Sequence, residues 1–408
     1  MKRFLLCAFL IAILCSSGGA SVFTIDQPKD KTATSQDIFT LSGSGAGLTT
    51  LTVNNFPLDI ADDGSFSCGL LLLRGKNYIE VKGWDGQENS QQKNLRVLHL
   101  ISFPDAELEY ESQKHWARRE IITLATLGII EGYPDGNFYM GQPITRGELA
   151  TWLVKAEDIA VEPVTKDVFF DVPKEHWRAP YIKAAVDKGL IKPLTADTFG
   201  VDSEITRAEV AQIAVDAEGG KISEEFKYIF YDVPKTNPYF PEIKKGRESG
   251  LLKGISRALP IFQPKRAMSR AECAVLISRF GRVQWLEKWL YDFNQGYSEK
   301  VLCKINTAPK VLLVSVDPQS FSALDENTVL TLKVKVADRE GLQDLLSVKA
   351  DISNLGGPPD AEMKGSNGDY ILQFTPNVNS WGEKAIIVTV TDKSGWTGSG
   401  QTSVTVVR

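Results

Sequence analysis

Three histidines in 408 residues leave little from which to build a catalytic or metal centre. His99, His115 and His176 are dispersed, and no nucleophile elbow, zinc-ligand string or Walker loop occurs. An enzyme is therefore not expected, and neither is a cofactor or a bound metal. Asp135 and Gly136 lack the alternating carboxylates of a calcium loop. Gly43-Ser44-Gly45-Ala46-Gly47 is followed by no lysine or helix start, so it reads as a turn rather than a phosphate loop. Cysteine is scarce as well. Cys7 and Cys15 fall in the N-terminal leader, while Cys68, Cys273 and Cys303 are scattered and odd in number, which excludes a disulfide framework but leaves a Cys273–Cys303 bridge open. Cys273 itself, four residues past Ser269, reads as a small core residue. The net charge of −5 offers no basic field for nucleic acid, so any bound anion must be held by local cations. Beyond residue 20, no run approaches the roughly 18 apolar residues of a spanning helix.

What is present begins with a leader. Lys2 and Arg3, the apolar stretch from Phe4 to Leu14, and Gly18-Gly19-Ala20 make residues 1–20 an expected signal peptide, hence an exported chain. Leu14 stands before Cys15 where a lipobox wants a small residue, which argues against lipidation. With 43% apolar and 24% charged residues the composition is ordinary for globular domains, and the length allows two to four of them at about 150 residues each. Residues 21–103 carry short β-rich runs at Leu48 to Asn54, Ser65 to Leu72 and Asn77 to Lys82, separated by Asp62-Asp63-Gly64 and Arg74-Gly75-Lys76 turns. That spacing predicts a small β-sandwich, and Asp63-Gly64-Ser65-Phe66 with Gly75 to Val81 and Trp84-Asp85 resembles bacterial immunoglobulin-like modules.

The middle third repeats. Ile144-Thr145-Arg146-Gly147-Glu148 returns as Ile205-Thr206-Arg207-Ala208-Glu209 and as Met268-Ser269-Arg270-Ala271-Glu272. In each string a hydroxyl precedes a glutamate by three positions, the pattern of a capping box: Thr145 with Glu148, Thr206 with Glu209, Ser269 with Glu272. An arginine at the first helical position sits at the positive end of the dipole, mildly disfavoured by roughly 0.3–1 kcal/mol. Helix formation alone would not place one there three times. Unpaired N–H groups beside a guanidinium suit a carboxylate, so Arg146, Arg207 and Arg270 are candidate anion-binding residues, with surface salt-bridging as the other reading. Trp116 and Trp177 stand 61 residues apart, as Arg146 and Arg207 do, while Arg207 and Arg270 are separated by 63. A first helix in each unit stops at Gly128, Gly189 or Gly250, each followed by two aliphatics. The two tryptophans suit either a structural core or stacking on a sugar, and His115 and His176 beside them read as solvated or capping residues.

The order Asp171-Val172-Pro173, His176-Trp177, Gly189-Leu190-Ile191 and Ile205-Thr206-Arg207-Ala208-Glu209 resembles the S-layer homology domain. The first copy matches through His115-Trp116, Gly132-Tyr133-Pro134-Asp135-Gly136-Asn137-Phe138 and its Thr-Arg-Gly-Glu, and the third through Asp232-Val233-Pro234 and Ser269-Arg270-Ala271-Glu272. There are departures. Copy one has Glu111-Ser112-Gln113 near the place of Asp-Val-Pro, copy two has Pro193-Leu194-Thr195-Ala196-Asp197 for the turn, and copy three has Pro238 for the tryptophan and Gly254-Ile255-Ser256-Arg257 for the turn. The resemblance implies three repeats folded into one pseudo-threefold helical body with grooves between neighbours. It also implies non-covalent attachment to cell-wall polysaccharide, often to sugars bearing a pyruvate ketal. The family's groove arginine maps onto Arg146, Arg207 and Arg270, and a guanidinium can grip one carboxylate through two parallel hydrogen bonds.

Trp285, Leu286, Trp289, Leu290 and Phe293 then sit at helical spacing, predicting a helix that packs back on the repeats, with membrane-surface binding as the sharper alternative. From residue 309 onward Leu330 to Val336 and Ala385 to Val390 return to strand patterning, each followed by an Asp and a Gly, Asp338 to Gly341 and Asp392 to Gly395. The expected fold class is multidomain α plus β, an all-α triple repeat between two β-sandwich immunoglobulin-like domains. The expected division is signal peptide 1–20, sandwich 21–103, repeats 107–160, 166–220 and 226–281, helical linker 282–308 and sandwich 309–408. The function expected is a non-catalytic protein of the cell surface or periplasm, held by its repeats to cell-wall polysaccharide or another peptidoglycan-linked polymer. The alternative is an adhesin or scaffold for envelope protein partners whose repeats have lost glycan binding.

Overall fold

The computed structural model describes residues 23–87, 89–107, 115–219, 229–255, 259–297, 304–325, 327–378 and 380–408. The leader with Cys15, the segment 111–113, the turn residues 256–257 and Cys303, with its bridge to Cys273, lie outside them.

The first β module contains β1 (Thr24–Gln27), β2 (Thr32–Thr34), β3 (Ile38–Ser44), β4 (Thr50–Val53), β5 (Phe56–Leu58), β6 (Ser65–Leu71), β7 (Gly75–Trp84) and β8 (Ser90–His99). Its ninth strand, β9 (Lys304–Asn306), arrives from two hundred residues downstream and pairs antiparallel with β6. Two sheets result, ordered β1-β3-β6-β9 and β2-β8-β7-β4-β5, around a shared core that includes Phe23, Leu41, Phe66, Ile79, Val81 and Ile305. β7 alternates buried and half-exposed positions along most of its length, as a strand with one face on a core must. The segment 282–308, expected as a helical linker, thus gives its last residues to this sheet.

The second β module contains β10 (Lys310–Asp317), β11 (Ser320–Ser322), β12 (Leu330–Ala337), β13 (Leu345–Asp351), β14 (Ala361–Glu362), β15 (Lys364–Ser366), β16 (Asp369–Phe374), β17 (Gly382–Asp392) and β18 (Thr397–Val407). Sheets β10-β12-β16-β15 and β11-β18-β17-β13-β14 enclose Leu330, Leu332, Val334, Val348, Val388 and Val404.

Between them run α1 (Pro104–Glu107), α2 (Arg118–Leu127), α3 (Arg146–Ala156), α4 (Ala179–Asp187), α5 (Arg207–Glu218), α6 (Phe240–Glu248), α7 (Arg270–Ile277) and α8 (Gly281–Tyr291). One hydrophobic core joins the three copies, with Trp152, Phe199, Phe262, Cys273 and Phe280 almost fully buried. The copies also clasp each other by backbone. Arg146 N–H donates to Ser203 at 2.9 Å, Arg207 N–H to Arg266 at 2.9 Å, and Arg270 N–H to Gln142 at 2.8 Å, so each helix start docks on the next copy and the third docks on the first.

The expected all-α body is not what forms. The chain is mostly β, and its described helices are eight and short, none longer than 12 residues. Capping boxes open the second helix of each copy, and a glycine in left-handed conformation, φ 78° at Gly128, closes the first in copy one. The long stretches between helices are irregular and are tied by isolated β-bridges such as Pro143 with Ser269 and Thr206 with Ala267. An aspartate braces each of these stretches by accepting backbone N–H groups: Asp105 from Phe138 and Tyr139, Asp171 from Phe199, Gly200 and Val201, Asp232 from Phe262 and Gln263. Those hydrogen bonds satisfy polar backbone that would otherwise be stranded near the core.

α8 packs back onto the repeats, with Thr123 Oγ1 and the Tyr291 hydroxyl 2.9 Å apart and Arg282 donating to the Ala156 carbonyl at 2.9 Å. Its C-terminal end is pinned to the first β module. The Lys76 ammonium, buried, donates to the carbonyls of Trp289, Asp292 and Gln295 at 2.5, 2.7 and 2.6 Å and lies 4.3 Å over the Trp289 ring. No helix of the described residues is long and apolar enough to cross a membrane.

Candidate functional site

Each repeated string opens a helix by the same geometry. The hydroxyls of Thr145, Thr206 and Ser269 accept from the N–H of Glu148, Glu209 and Glu272 at 3.2, 3.3 and 3.2 Å. Each glutamate returns by accepting from the cap residue's own N–H at 3.0 Å. The arginine that follows turns inward. Arg146, Arg207 and Arg270 are only 6, 5 and 1% exposed. Each Nε donates to the carbonyl of a phenylalanine in another copy, Phe199 at 3.0 Å, Phe262 at 2.8 Å and Phe138 at 2.9 Å. Each guanidinium also lies over that residue's ring, at 5.3, 4.7 and 4.4 Å. These side chains are first of all staples between copies. Burial pushes the Arg146 and Arg207 guanidinium groups below their usual range, without making arginine lose its charge.

What remains of each guanidinium differs. Arg270 is closed: its Nη1 is 2.5 Å from the buried carboxylate of Glu148, which also accepts from the Tyr133 hydroxyl at 2.9 Å. Arg178, stacked 4.0 Å over Trp177, adds a second cation 3.7 Å from Glu148. Arg146 faces a recess of about 220 Å³ with Lys192, Glu209, Asp216 and Tyr239 on its walls. Arg207 borders an open cleft of about 670 Å³ lined by Trp116, Glu120, Lys253, Glu272 and Arg279 among others. Small-molecule sites occupy about 300–1,000 Å³, a range that admits the Arg207 cleft and excludes the Arg146 recess.

The Arg207 cleft draws on all three copies: Trp116 from the first, Arg207 from the second, and the residues after Gly250 with Glu272 and Arg279 from the third. Arg207 Nη1 is 3.1 Å from Glu272, and Arg266 reaches the same carboxylate at 2.5 Å. Burial raises the Glu272 carboxyl, but hydrogen bonds from Arg266 and the Ser269 backbone together with the Arg207 charge more than offset it, so the group stays an anion. Its two acidic residues, Glu120 and Glu272, are outnumbered by Arg207, Lys253 and Arg279, leaving the cleft a net positive charge. Trp116 is 63% exposed on its wall and Trp177 is 51% exposed beside Arg178, so neither tryptophan belongs to the core.

Removing a buried guanidinium such as Arg207 would leave the Phe262 carbonyl without its donor and Glu272 with Arg266 as its remaining cation, and would cut a buried contact between copies. Arg207→Ala is therefore a poor probe of binding. Sequence reasoning missed Lys253 and Arg279, which lie outside the repeated string. It also missed Asp105, which sits eleven residues before Trp116, whereas Asp171 sits six before Trp177. The inserted residues hid an aspartate that does in copy one what Asp171 and Asp232 do in the others. His115 and His176 were expected as solvated or capping residues. His115 and His176 Nδ1 accept the backbone N–H two residues on, at 3.2 and 3.1 Å, and Asn237 Oδ1 does the same at 2.9 Å in copy three.

The S-layer homology domain model matches residues 111–150 and 169–211, which hold two of the three capped arginines and both Trp116 and Trp177. The chain carries S-layer homology domains. The third string lies outside those matches, yet it has the same capping box and the same arginine–carbonyl staple. A model of glucodextranase domain B matches residues 22–99, and one of a bacterial Ig domain matches 306–405. The chain is similar to the surface-layer 125 kDa protein of Lysinibacillus sphaericus, 30% identical over 171 residues, 40% of this chain and 14% of that protein. It is also similar to the cellulosome-anchoring protein of Acetivibrio thermocellus, 34% identical over 173 residues, 41% of this chain and 36% of that protein. The chain thus spans well under half the length of these relatives. Among solved structures, fibronectin(III)-like modules of Clostridium thermocellum CbhA match with a TM-score of 0.15 at 10% identity over 18% of this chain and 92% of theirs, a likeness too slight to carry an argument.

Proposed function

We propose that this is an exported, non-catalytic envelope protein anchored non-covalently to an acidic cell-wall polysaccharide, and that the Arg207 cleft is its principal binding site. The observation that carries the reading is the exposed Trp116 indole lining the same cleft as Arg207, Lys253 and Arg279. An aromatic face offers a sugar ring an apolar platform, and guanidinium and ammonium groups offer a carboxylate substituent charge-assisted hydrogen bonds. A carboxylate such as a pyruvate ketal would compete with Glu272 for Arg207 and meet the exposed Lys253 and Arg279, whose Nη1 is held by the Leu251 carbonyl at 2.7 Å. The match to S-layer homology domains and the surface-layer and anchoring relatives support the same reading. The β modules serve as spacers that hold the repeats away from whatever lies beyond them.

One binding cleft among three helix starts follows from the closure of Arg270 by Glu148 and the narrowness of the Arg146 recess. The test is co-sedimentation of the full chain with purified wall carrying its polysaccharide and with wall stripped of it. Wild type should pellet only with the former, and Trp116→Ala and Lys253→Ala, both exposed and free of buried ion pairs, should lose most of that retention. Equal retention on stripped wall, or none on either, would overturn the reading in favour of a protein-binding scaffold.

A further inference from the structure

We propose that a divalent calcium-class cation binds at the junction of the two β modules, held by Asp338, Asp344, Asp392 and Asn306. The three aspartates come from different elements: Asp338 follows β12, Asp344 ends the short turn 342–344, and Asp392 is the last residue of β17. One carboxylate oxygen from each lies within 4.8 Å of the others. Oxygens at 2.3–2.6 Å from a common Ca²⁺ are at most about 4.6–5.2 Å apart, so the three fit one coordination sphere.

Acidic side chains alone do not make a site, and here a second residue points to one. Asn306, the last residue of β9, is fully buried, and its Nδ2 donates to Asp392 Oδ2 at 2.9 Å while its Oδ1 has no hydrogen-bond partner. A carboxamide oxygen sealed from water beside a carboxylate cluster is costly to leave unsatisfied, and Asn carbonyls are ordinary calcium ligands. Asp338 Oδ2 is likewise buried and unpartnered. The remaining groups hold the cluster in place: Glu340 N–H donates to Asp338 Oδ1 at 2.9 Å, Trp396 N–H to Asp392 Oδ1 at 2.8 Å, and Thr307 N–H to Glu340 at 3.2 Å. Burial, then the neighbouring carboxylates, push Asp338 and Asp344 above the usual carboxylate range, and Lys393 offsets part of the charge at Asp344. An open cleft lined by Glu340, Asp344 and Lys393 reaches the edge of the cluster at Asp344.

The location gives the ion a task. Asn306 belongs to the sheet of the first module through β9, while the three aspartates belong to the second. Trp396 crosses the same boundary, its ring close enough that a Cβ on Gly69 would stand 3.1 Å away. A cation bound by both modules would fix their relative orientation, which three clustered carboxylates without one would tend to loosen by mutual repulsion.

The test uses the full chain stripped with EDTA and titrated with calcium chloride by calorimetry, with magnesium chloride in parallel. Extracellular calcium modules bind at about 10⁻⁴–10⁻³ M, so titration to about 10 mM covers the range. One equivalent of Ca²⁺ should bind at least about tenfold more tightly than Mg²⁺, and calcium should raise the melting temperature of the wild-type chain. Terbium emission excited through tryptophan should appear with wild type and fade in Trp396→Phe. Asp344→Asn, at a half-exposed position, should weaken calcium binding at least about tenfold. No binding heat and no melting shift up to about 10 mM would overturn the proposal, as would unchanged affinity in a folded Asp344→Asn. Should that variant not fold, the wild-type melting shift and the Trp396→Phe emission decide.

Discussion

Arginine at the first position of a helix is unfavourable by a fraction of a kcal/mol, and three such residues in register marked a function in the sequence. In the folded chain the cost is offset by what the side chain reaches: one phenylalanine carbonyl and its ring in another copy, for each of Arg146, Arg207 and Arg270. Type and spacing pointed to these positions, but not to their burial, because the acceptors come from other copies at separations of 53, 55 and 132 residues. His115 shows the same limit. Its Nδ1 accepts the Ala117 N–H, which requires the neutral ring, and burial lowers its pKa from the ordinary 6.5. With the folded pKa below the unfolded one, the stabilisation from His115 is present above about pH 6.5 and declines as pH falls towards the folded value. His115→Asn, which installs the group copy three already uses at Asn237, should flatten that part of the profile, as read from melting temperature between about pH 7.5 and 5 relative to wild type.

At the scale of elements, helix starts and the first helix stop were legible because capping chemistry is local: four residues suffice for a capping box and one glycine for a stop. What local signals could not give was how little of the repeat region is helix. The connecting stretches hold their shape through aspartates that accept N–H groups some thirty residues away, and only the folded chain shows those pairings. β9 was illegible for a similar reason, since three residues carry no period and their partner strand lies more than two hundred residues earlier. The Lys76 contact is the element-scale feature most open to test. Lys76→Met keeps the apolar stem and deletes three hydrogen bonds, leaving the carbonyls of Asp292 and Gln295 without this donor and that of Trp289 with only the Asp292 N–H at 3.3 Å. Each stranded acceptor costs about 1–3 kcal/mol, less where water enters, so a loss of about 2–4 kcal/mol is expected. Hydrogen exchange should then rise across residues 289–297 while the core of β7 stays protected.

At the scale of the whole molecule, the first β module meets both other parts of the chain through specific contacts: Lys76 with the end of α8 on the repeat side, and Asn306 with Asp392 of the second β module. A spacer with stiff seams transmits load to the element that grips the wall, and in this account that element is the cleft of Trp116, Arg207, Lys253 and Arg279. The exposed tryptophans of the first two copies make the discrimination possible, since Trp116 borders the open cleft and Trp177 stacks on Arg178 beside the closed Arg270–Glu148 pair. The most direct measurement is calorimetric titration of soluble wall-polysaccharide fragments into the wild-type chain, Trp116→Ala and Trp177→Ala. The account expects Trp116→Ala to lose at least about tenfold in affinity, roughly 1.4 kcal/mol, while Trp177→Ala stays within about twofold of wild type. Equal losses in the two variants, or a larger loss from Trp177→Ala, would contradict it.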